Sequence, residues 1–348
     1  MIDEKICEWL MDNADAPIRY RVARELLKDG GSVIKNEPEL LENKEVQKWL
    51  VNLRNENPPT RNYYEHGSFN VCLENALPKL TQLGLHRGLQ PFMDAASFYL
   101  SRDDSPGYNW ISVNMYSLAG ITGDKITATM LKNLEMMHRF VHLNTYDFYI
   151  DDDERDKLLG VPKIWKNQKF IKPQLRDNNI KYPFIYDILG MFRLYELKDA
   201  GSDKKIDGII DYISTDEFHA RVADGYGILI DEARSYHSQG WDPKYPGWFG
   251  IADCIGRGGA PKLLFFAQNI VNYPRARKTK WFNELMNYLE QYKTDGGTYI
   301  FPKNWIAESQ GYAVQGHHLS YGENRKKKNW IEVESTFYML SLMQKFYN

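Results

Sequence analysis

Apolar residues recur along this chain at helical rather than strand spacing. In "KKIDGIIDYI", Ile206, Ile209, Ile210 and Ile213 fall at positions i, i+3, i+4 and i+7 of one helical face. "KWFNELMNYLEQY" repeats the pattern with Trp281, Phe282, Leu285, Met286 and Leu289. Read in this way, the chain predicts about twelve helices, near 4–12, 17–28, 38–53, 69–84, 88–100, 112–121, 127–142, 182–198, 204–214, 260–273, 279–292 and 331–347. Local signals set some boundaries. Asp15 stands where a cap is needed, Pro17 suits a first turn, and Gly30 with Gly31 is expected to stop the second helix. Pro78 is expected to kink or split its helix.

Two kinds of helix alternate in the second half. "PKLLFFAQNIV" and "STFYMLSLM" are apolar all round and must be covered on every side, whereas 204–214 and 279–292 are apolar on one face only. This implies an all-α (α/α)6 toroid, an inner ring of helices wrapped by an outer one, in a single domain spanning 1–348. Links from inner to outer helices are brief ("GLHRG", "GITGD", "KDAGSD"), and the returning links are long. In such an arrangement the long loops share one mouth. They carry His66, His219, His237, His317 and His318, and Trp110, Trp165, Trp241, Trp248, Trp305 and Trp330, so the site is expected there.

Composition narrows the classes. With 348 residues, 43% of them hydrophobic, the chain can bury a large core. The 44 Lys and Arg nearly balance the 46 Asp and Glu, so no net charge attracts nucleic acid. No stretch approaches the roughly 20 apolar residues that span a bilayer, and the start "MIDEKICEWL" lacks a secretion signal, so a cytoplasmic protein is expected. Cys7, Cys72 and Cys254 are too scattered for a disulfide framework or a four-thiolate zinc site. A divalent metal, the one cofactor left open, would need mixed ligands.

The string "DDDERD" (151–156) contains D-D-x-x-D, a pattern able to hold magnesium. Its interleaved Arg155, and Lys157 just beyond it, suit an exposed helix start better, because acids are favoured near a helix N-terminus. The densest candidate region is "SYHSQGWDPKYPGWFGIADCIGRGG". Tyr236 and His237 are candidates for an acid–base pair, or His237 fastens the loop. Trp241, Tyr245 and Trp248 either wall a ligand pocket or anchor the loop. Asp253 and Cys254 precede "GRGG", whose glycines allow close backbone approach while Arg257 supplies charge for an anionic group. His317, His318, Tyr321 and Arg325 come from "QGHHLSYGENR", and His66 stands beside Tyr63 and Tyr64. Cys254 as a nucleophile would need a basic neighbour such as His317.

The opening "WLMDNADAPIRYRVARELL" and the stretch "YLEQYKTDGGTYIF" resemble the terpenoid cyclase and protein prenyltransferase superfamily. In the second stretch Gln291 precedes Asp295-Gly296-Gly297, similar to the Gln-Trp repeat of that superfamily, with Tyr299 near its tryptophan. The resemblance implies an α/α toroid. The superfamily's D-x-D-D proton donor is not matched, since Asp151-Asp152-Asp153 is followed by Glu154. Nor is its zinc site, since Asp253 and Cys254 are adjacent.

Three classes of function remain. One is a toroid holding an apolar or isoprenoid-type small molecule in an aromatic-lined cavity. In it Asp253, His237, Tyr236 and His66 are the reagents, and Trp241, Trp248, Arg257, Trp110, Tyr64, His317 and Tyr321 are the binding residues. The second is a carbohydrate-active lyase or hydrolase, in which Tyr236 or His237 is the base and Arg257 neutralises a uronate. The third is a noncatalytic binding protein. Oligomeric state is not legible.

Overall fold

The computed structural model describes residues 3–54, 66–100, 110–175, 179–198, 201–230, 235–240, 243–306 and 308–347. It is mostly helical, about 60% helix, with one small sheet. In chain order come α1 (Glu4–Asn13), α2 (Ala16–Arg21) running into a π-helical turn (Val22–Leu27), α3 (Gly30–Glu42), α4 (Lys44–Leu53), α5 (Leu73–Gln82) and α6 (Gln90–Leu100). Then follow α7 (Trp110–Leu118), α8 (Asp124–His142), α9 (Asp152–Asp156), α10 (Ile185–Gly190), α11 (Phe192–Leu197), α12 (Ser202–Ile213) and α13 (Asp216–Arg221). After the hairpin β1 (Tyr226–Ile230) and β2 (Tyr236–Gly240) come α14 (Ile251–Gly256), α15 (Ala260–Ile270), α16 (Pro274–Arg277), α17 (Lys280–Glu290) and α18 (Trp330–Tyr347). Among the described residues no helix is long and apolar enough to cross a membrane.

A helix lies at each of the twelve expected places, and the burial follows the pattern. On α12 the buried isoleucines are 206, 209, 210 and 213, and on α17 the buried residues are the five named from sequence. By contrast, α15 and α18 are buried over most of their surface. The buried hydrophobic side chains form one continuous cluster from Ile6 to Leu342.

Several local expectations change. Gly30 and Gly31 open α3 rather than end α2, because Lys28 makes the left-handed turn (φ 55°) and the Asp29 side chain accepts the Gly31 N–H. Asp15 precedes α2 but makes no side-chain cap; its carboxylate accepts from Asn324 N–H (2.7 Å) and pairs with Lys327 (2.8 Å). Pro78 stays inside α5, whose described span is unbroken. The segments 38–53 and 182–198 are instead interrupted, at Asn43 between α3 and α4 and at Met191 between α10 and α11.

The described helix neighbours run in sequence. α5 packs on α4 and α7, α7 on α8 and α10, α12 on α8 and α11, and α15 on α18, while α18 reaches back to α1 and the π-helical turn. Segment 308–321 crosses from α5 to α15. Ala313 N–H donates to Asn75 Oδ1 on α5 (2.8 Å), and Gly316 lies against the backbone of Pro261 on α15. A Cβ at Gly316 would stand 2.2 Å from the Pro261 carbonyl carbon, and φ is +83°. Gly316→Ala is therefore expected to lower stability by about 2–4 kcal/mol, through backbone strain and a displaced segment. Urea unfolding checks this, with Gly30→Ala, where nothing lies within 4 Å of the new Cβ, as the control.

Candidate functional site

The site grows out of charges placed on helices that are otherwise apolar. On α5, Leu73, Ala76, Leu77 and Leu80 are buried, and so are Glu74, Asn75 and Lys79. A buried ammonium is tolerated only with full pairing. Lys79 Nζ meets Glu308 Oε2 (2.5 Å), Ser320 O (2.7 Å) and Ser320 Oγ (2.9 Å), so each of its three protons has an acceptor. Glu308 also binds His318 Nδ1 (2.9 Å), and His318 Nε2 faces Gly311 O (3.0 Å). Burial opposes the charge on Glu308, but Lys79 and His318 outweigh it and hold the carboxyl down to about 2.

A parallel arrangement surrounds Arg21. Its guanidinium binds Glu25 through Nε (2.9 Å) and Nη2 (2.8 Å), donates to Gln82 O (2.8 Å), and lies over the rings of Tyr321 and Phe337. Glu25 is half-buried, which opposes its charge, yet Arg21 and Arg24 hold it down to about 2.

Between these networks is a cavity of about 210 Å³. Its walls come from Arg21 of α2, Gln82 of α5, Ser117 of α7, Arg193 of α11, Gln268 of α15 and Ser341 of α18. Ala313, His318 and Tyr321 of segment 308–321 complete it. The contributions of α5, α7, α15 and α18 are from their carboxyl-terminal halves, the ends joined by the brief links. Amide, hydroxyl and cationic side chains predominate, and among the described residues that line it there is no carboxylate. A second recess of about 490 Å³ is lined by Ile6, Leu26, Leu340, Met343 and Tyr347 together with Asp3, Glu4, Lys293 and Gln344.

Of the residues singled out from sequence, His318 lines the first cavity, and so does Tyr321. Its hydroxyl faces Gln268 Oε1 (3.4 Å), and burial raises its pKa. His317 is half-buried and bonds to Ser309 Oγ (2.9 Å) rather than to Cys254, whose thiol burial pushes up. Asp253 and Arg257 are exposed on and just after α14, and line neither cavity. Tyr236 and His237 are neighbours on β2, so they point to opposite faces of the strand. The Tyr236 hydroxyl donates to Leu159 O (2.6 Å), and His237 is exposed.

Trp248 stacks on His219 (4.2 Å between ring centres) and donates to Asp216 (2.7 Å), which fastens its loop. His219 itself is buried, and burial presses its pKa down to about 3. Tyr64 and Trp241 lie outside the described residues, as does the side chain of Trp110 at the start of α7. Asp151 caps α9 by accepting Glu154 N–H (2.7 Å), and Arg155 pairs with Asp152 (2.8 Å) and Asp156 (3.1 Å), so "DDDERD" is an exposed helix start. Among the described residues no group of three or more His, Cys, Asp or Glu is placed to hold a metal ion.

His66 is brought together with a residue that the sequence reading missed. Its Nδ1 lies 2.8 Å from Oε1 of the fully buried Glu74. Glu74, Lys79 and Glu334 share one legible signal: a charge inside a run such as "VCLENALPKL" or "WIEVESTFYML", where the helix has no polar face to offer it. The comparisons add no identification: no family model, no curated protein and no solved structure matches the chain.

Two buried carboxyls join the ends of the chain and generate a pH dependence. Glu334 accepts from Tyr321 N–H (2.9 Å) and Glu323 N–H (3.2 Å), with Arg325 at 3.2 Å. Glu323 accepts from Asp15 N–H (2.5 Å). Burial raises both to about 7 despite Arg325 and Lys327. A raised carboxyl binds its proton more tightly in the folded state, so its stabilisation is complete below about 4.5 and is lost as pH rises through about 7. Melting temperature is expected to fall between pH 5 and 8, and Glu323→Gln or Glu334→Gln is expected to flatten that slope. Lys79→Met, which leaves Glu308 without its ammonium partner, is expected to cost about 3–5 kcal/mol, measured by urea unfolding at pH 7.

Proposed function

We propose that this chain is an α/α toroid that binds a small polar molecule, of about monosaccharide size, in the cavity at the carboxyl ends of its inner helices. The toroid reading rests on the run of helix neighbours from α5 through α7 and α10, on the return of α18 to α1 and the π-helical turn, and on one cavity shared by six helical segments. The Tyr273 hydroxyl, which donates to Ile188 O, ties the end of α15 to α10. The sequence resemblance to the terpenoid cyclase and prenyltransferase superfamily points to the same architecture.

The chemistry of the cavity wall carries the ligand reading. An isoprenoid chain would leave the Gln268 amide and the buried, unbonded Ser341 hydroxyl facing apolar atoms, and each unpartnered polar group costs about 1–3 kcal/mol. A hydroxyl- or carboxylate-bearing ligand offers them partners. At about 30 Å³ per water, the volume holds some seven waters' worth of such a molecule. Turnover at this place would need a free base. His318 has an acceptor at each ring nitrogen, and Lys79 has all three protons engaged, so the reading is binding without chemistry there. The apolar side chains of Ile6, Leu26, Leu340 and Met343 in the second recess favour a second reading, in which an isoprenoid-type chain lies between α1 and α18.

A thermal-shift series with glucose, gluconate, glucuronate and farnesol separates the two. Saturation at a hundred times Kd adds about 2.7 kcal/mol. We expect a polar member to raise the melting temperature and the double variant Gln268→Leu, Ser341→Val to abolish the rise. A response to farnesol alone would move the ligand to the recess between α1 and α18.

A further inference from the structure

The amino end of α5 holds a second polar group, separate from the cavity at the other end of the same helix. Three donors close on the buried Glu74 carboxylate. Gly67 N–H (2.5 Å) and His66 Nδ1 (2.8 Å) reach Oε1, and the Tyr186 hydroxyl reaches Oε2 (2.5 Å). Asn75, the next residue, donates to Gly67 O (2.8 Å) and Phe69 O (2.9 Å), so the backbone that carries His66 is pinned to the helix. The Tyr312 ring packs 5.5 Å from the imidazole. The His66 side chain nevertheless remains 55% exposed. With Nδ1–H given to the carboxylate, the lone pair is on Nε2, at the ring edge turned away from Glu74.

A carboxylate that fixes the tautomer and orientation of a histidine, and steadies the imidazolium once it forms, is the arrangement general-base catalysis requires. Most buried carboxylates pair with Arg or Lys, as Asp187 and Glu334 do here. Glu74 is closed instead by a tyrosine, a backbone amide and a histidine that opens to solvent. Cys72, two residues earlier, is buried and its thiol is pushed up to about 11, so it is a poor nucleophile. The attacking group is then water or a substrate hydroxyl.

We propose that His66 and Glu74 form a general-base pair for acyl transfer, with an ester as the substrate class. His66 Nε2 takes the proton of a water or alcohol while its oxygen bonds to the carbonyl carbon. The ester C–O bond breaks, and the imidazolium returns that proton to the departing alkoxide, so no other reactant is consumed. His66 is the catalytic residue and Glu74 a positioning residue. Among the described residues, the ionisable groups around the pair are Tyr186, Tyr312 and Cys72. This reading is independent of the ligand assigned to the cavity.

The test uses the full-length protein with p-nitrophenyl acetate as probe. Hydrolysis faster than with equimolar free imidazole is expected, falling roughly 10²-fold or more in His66→Gln. Glu74→Gln is expected to lose about 10- to 100-fold and to shift the pH–rate profile to lower pH, because the carboxylate raises the pKa of His66. Glu74 is buried, so its variant risks unfolding. Proton NMR titration of the His66 ring in the intact protein, against the exposed His66→Gln variant for assignment, keeps the test decisive. A rate unchanged in His66→Gln, no rate above imidazole, or a His66 ring that titrates as an isolated histidine would each overturn the proposal.

Discussion

A single buried ammonium organises much of this molecule. Lys79 is on a helix with no wet face, and an unpaired charge there would cost several kcal/mol. Its three acceptors all come from segment 308–321, more than two hundred residues away in sequence. The cost of leaving Lys79 unpaired is therefore a force that draws this segment onto α5. Asn75, one turn earlier, holds Ala313 in the same place, and Gly316 then presses on Pro261 of α15. Once the segment is seated, His318 and Tyr321 become one wall of the cavity.

The same economy governs the closure of the chain. Asp15, Glu323, Lys327 and Glu334 lie at the two ends of the sequence but form one network. Glu323 and Glu334 are ion-paired and also accept backbone amides, and their burial outweighs both. The closure is therefore sensitive to protonation near neutral pH, while the networks around Glu25 and Glu308 stay charged. Helix α5 thus divides the polar interior into two places. Its carboxyl end faces a cavity in which Arg21 and Lys79 are paired, and its amino end presents a histidine whose side chain is exposed. Static pairing suits recognition, whereas an oriented and exposed imidazole suits proton transfer.

The loops rich in tryptophan and histidine illustrate a different balance. Trp248, His219, Tyr245 and Trp281 pack on one another and on Phe266, and Trp305 packs on Tyr292 and Phe301. These rings bury long connections, which need apolar anchors because their backbones lack helical hydrogen bonding. An aromatic load in loops is a signal of order, and here it pointed to packing more than to a ligand.

How far the sequence reached follows from which forces are local. Helix positions and buried faces depend on apolar spacing and on turn residues a few positions apart. The places of the helices, the one-faced character of α12 and α17 and the burial of α15 and α18 were therefore legible from the sequence alone. The acidic helix start at Asp151 was legible for the same reason. The hairpin of β1 and β2 was not, because its pairing is made across two short, weakly alternating strands. The capping side chain of Asp15 was misread because a distant loop competes for it. Site residues were least legible, because a charge in an apolar run shows only that a partner must exist. The partners of Lys79, Glu74 and Glu334 are chosen by which loop returns to them. Only the tertiary structure decides that Glu308 reaches Lys79, that His66 reaches Glu74, and that His237 faces neither, since burial and hydrogen bonding act between groups that chain order keeps apart.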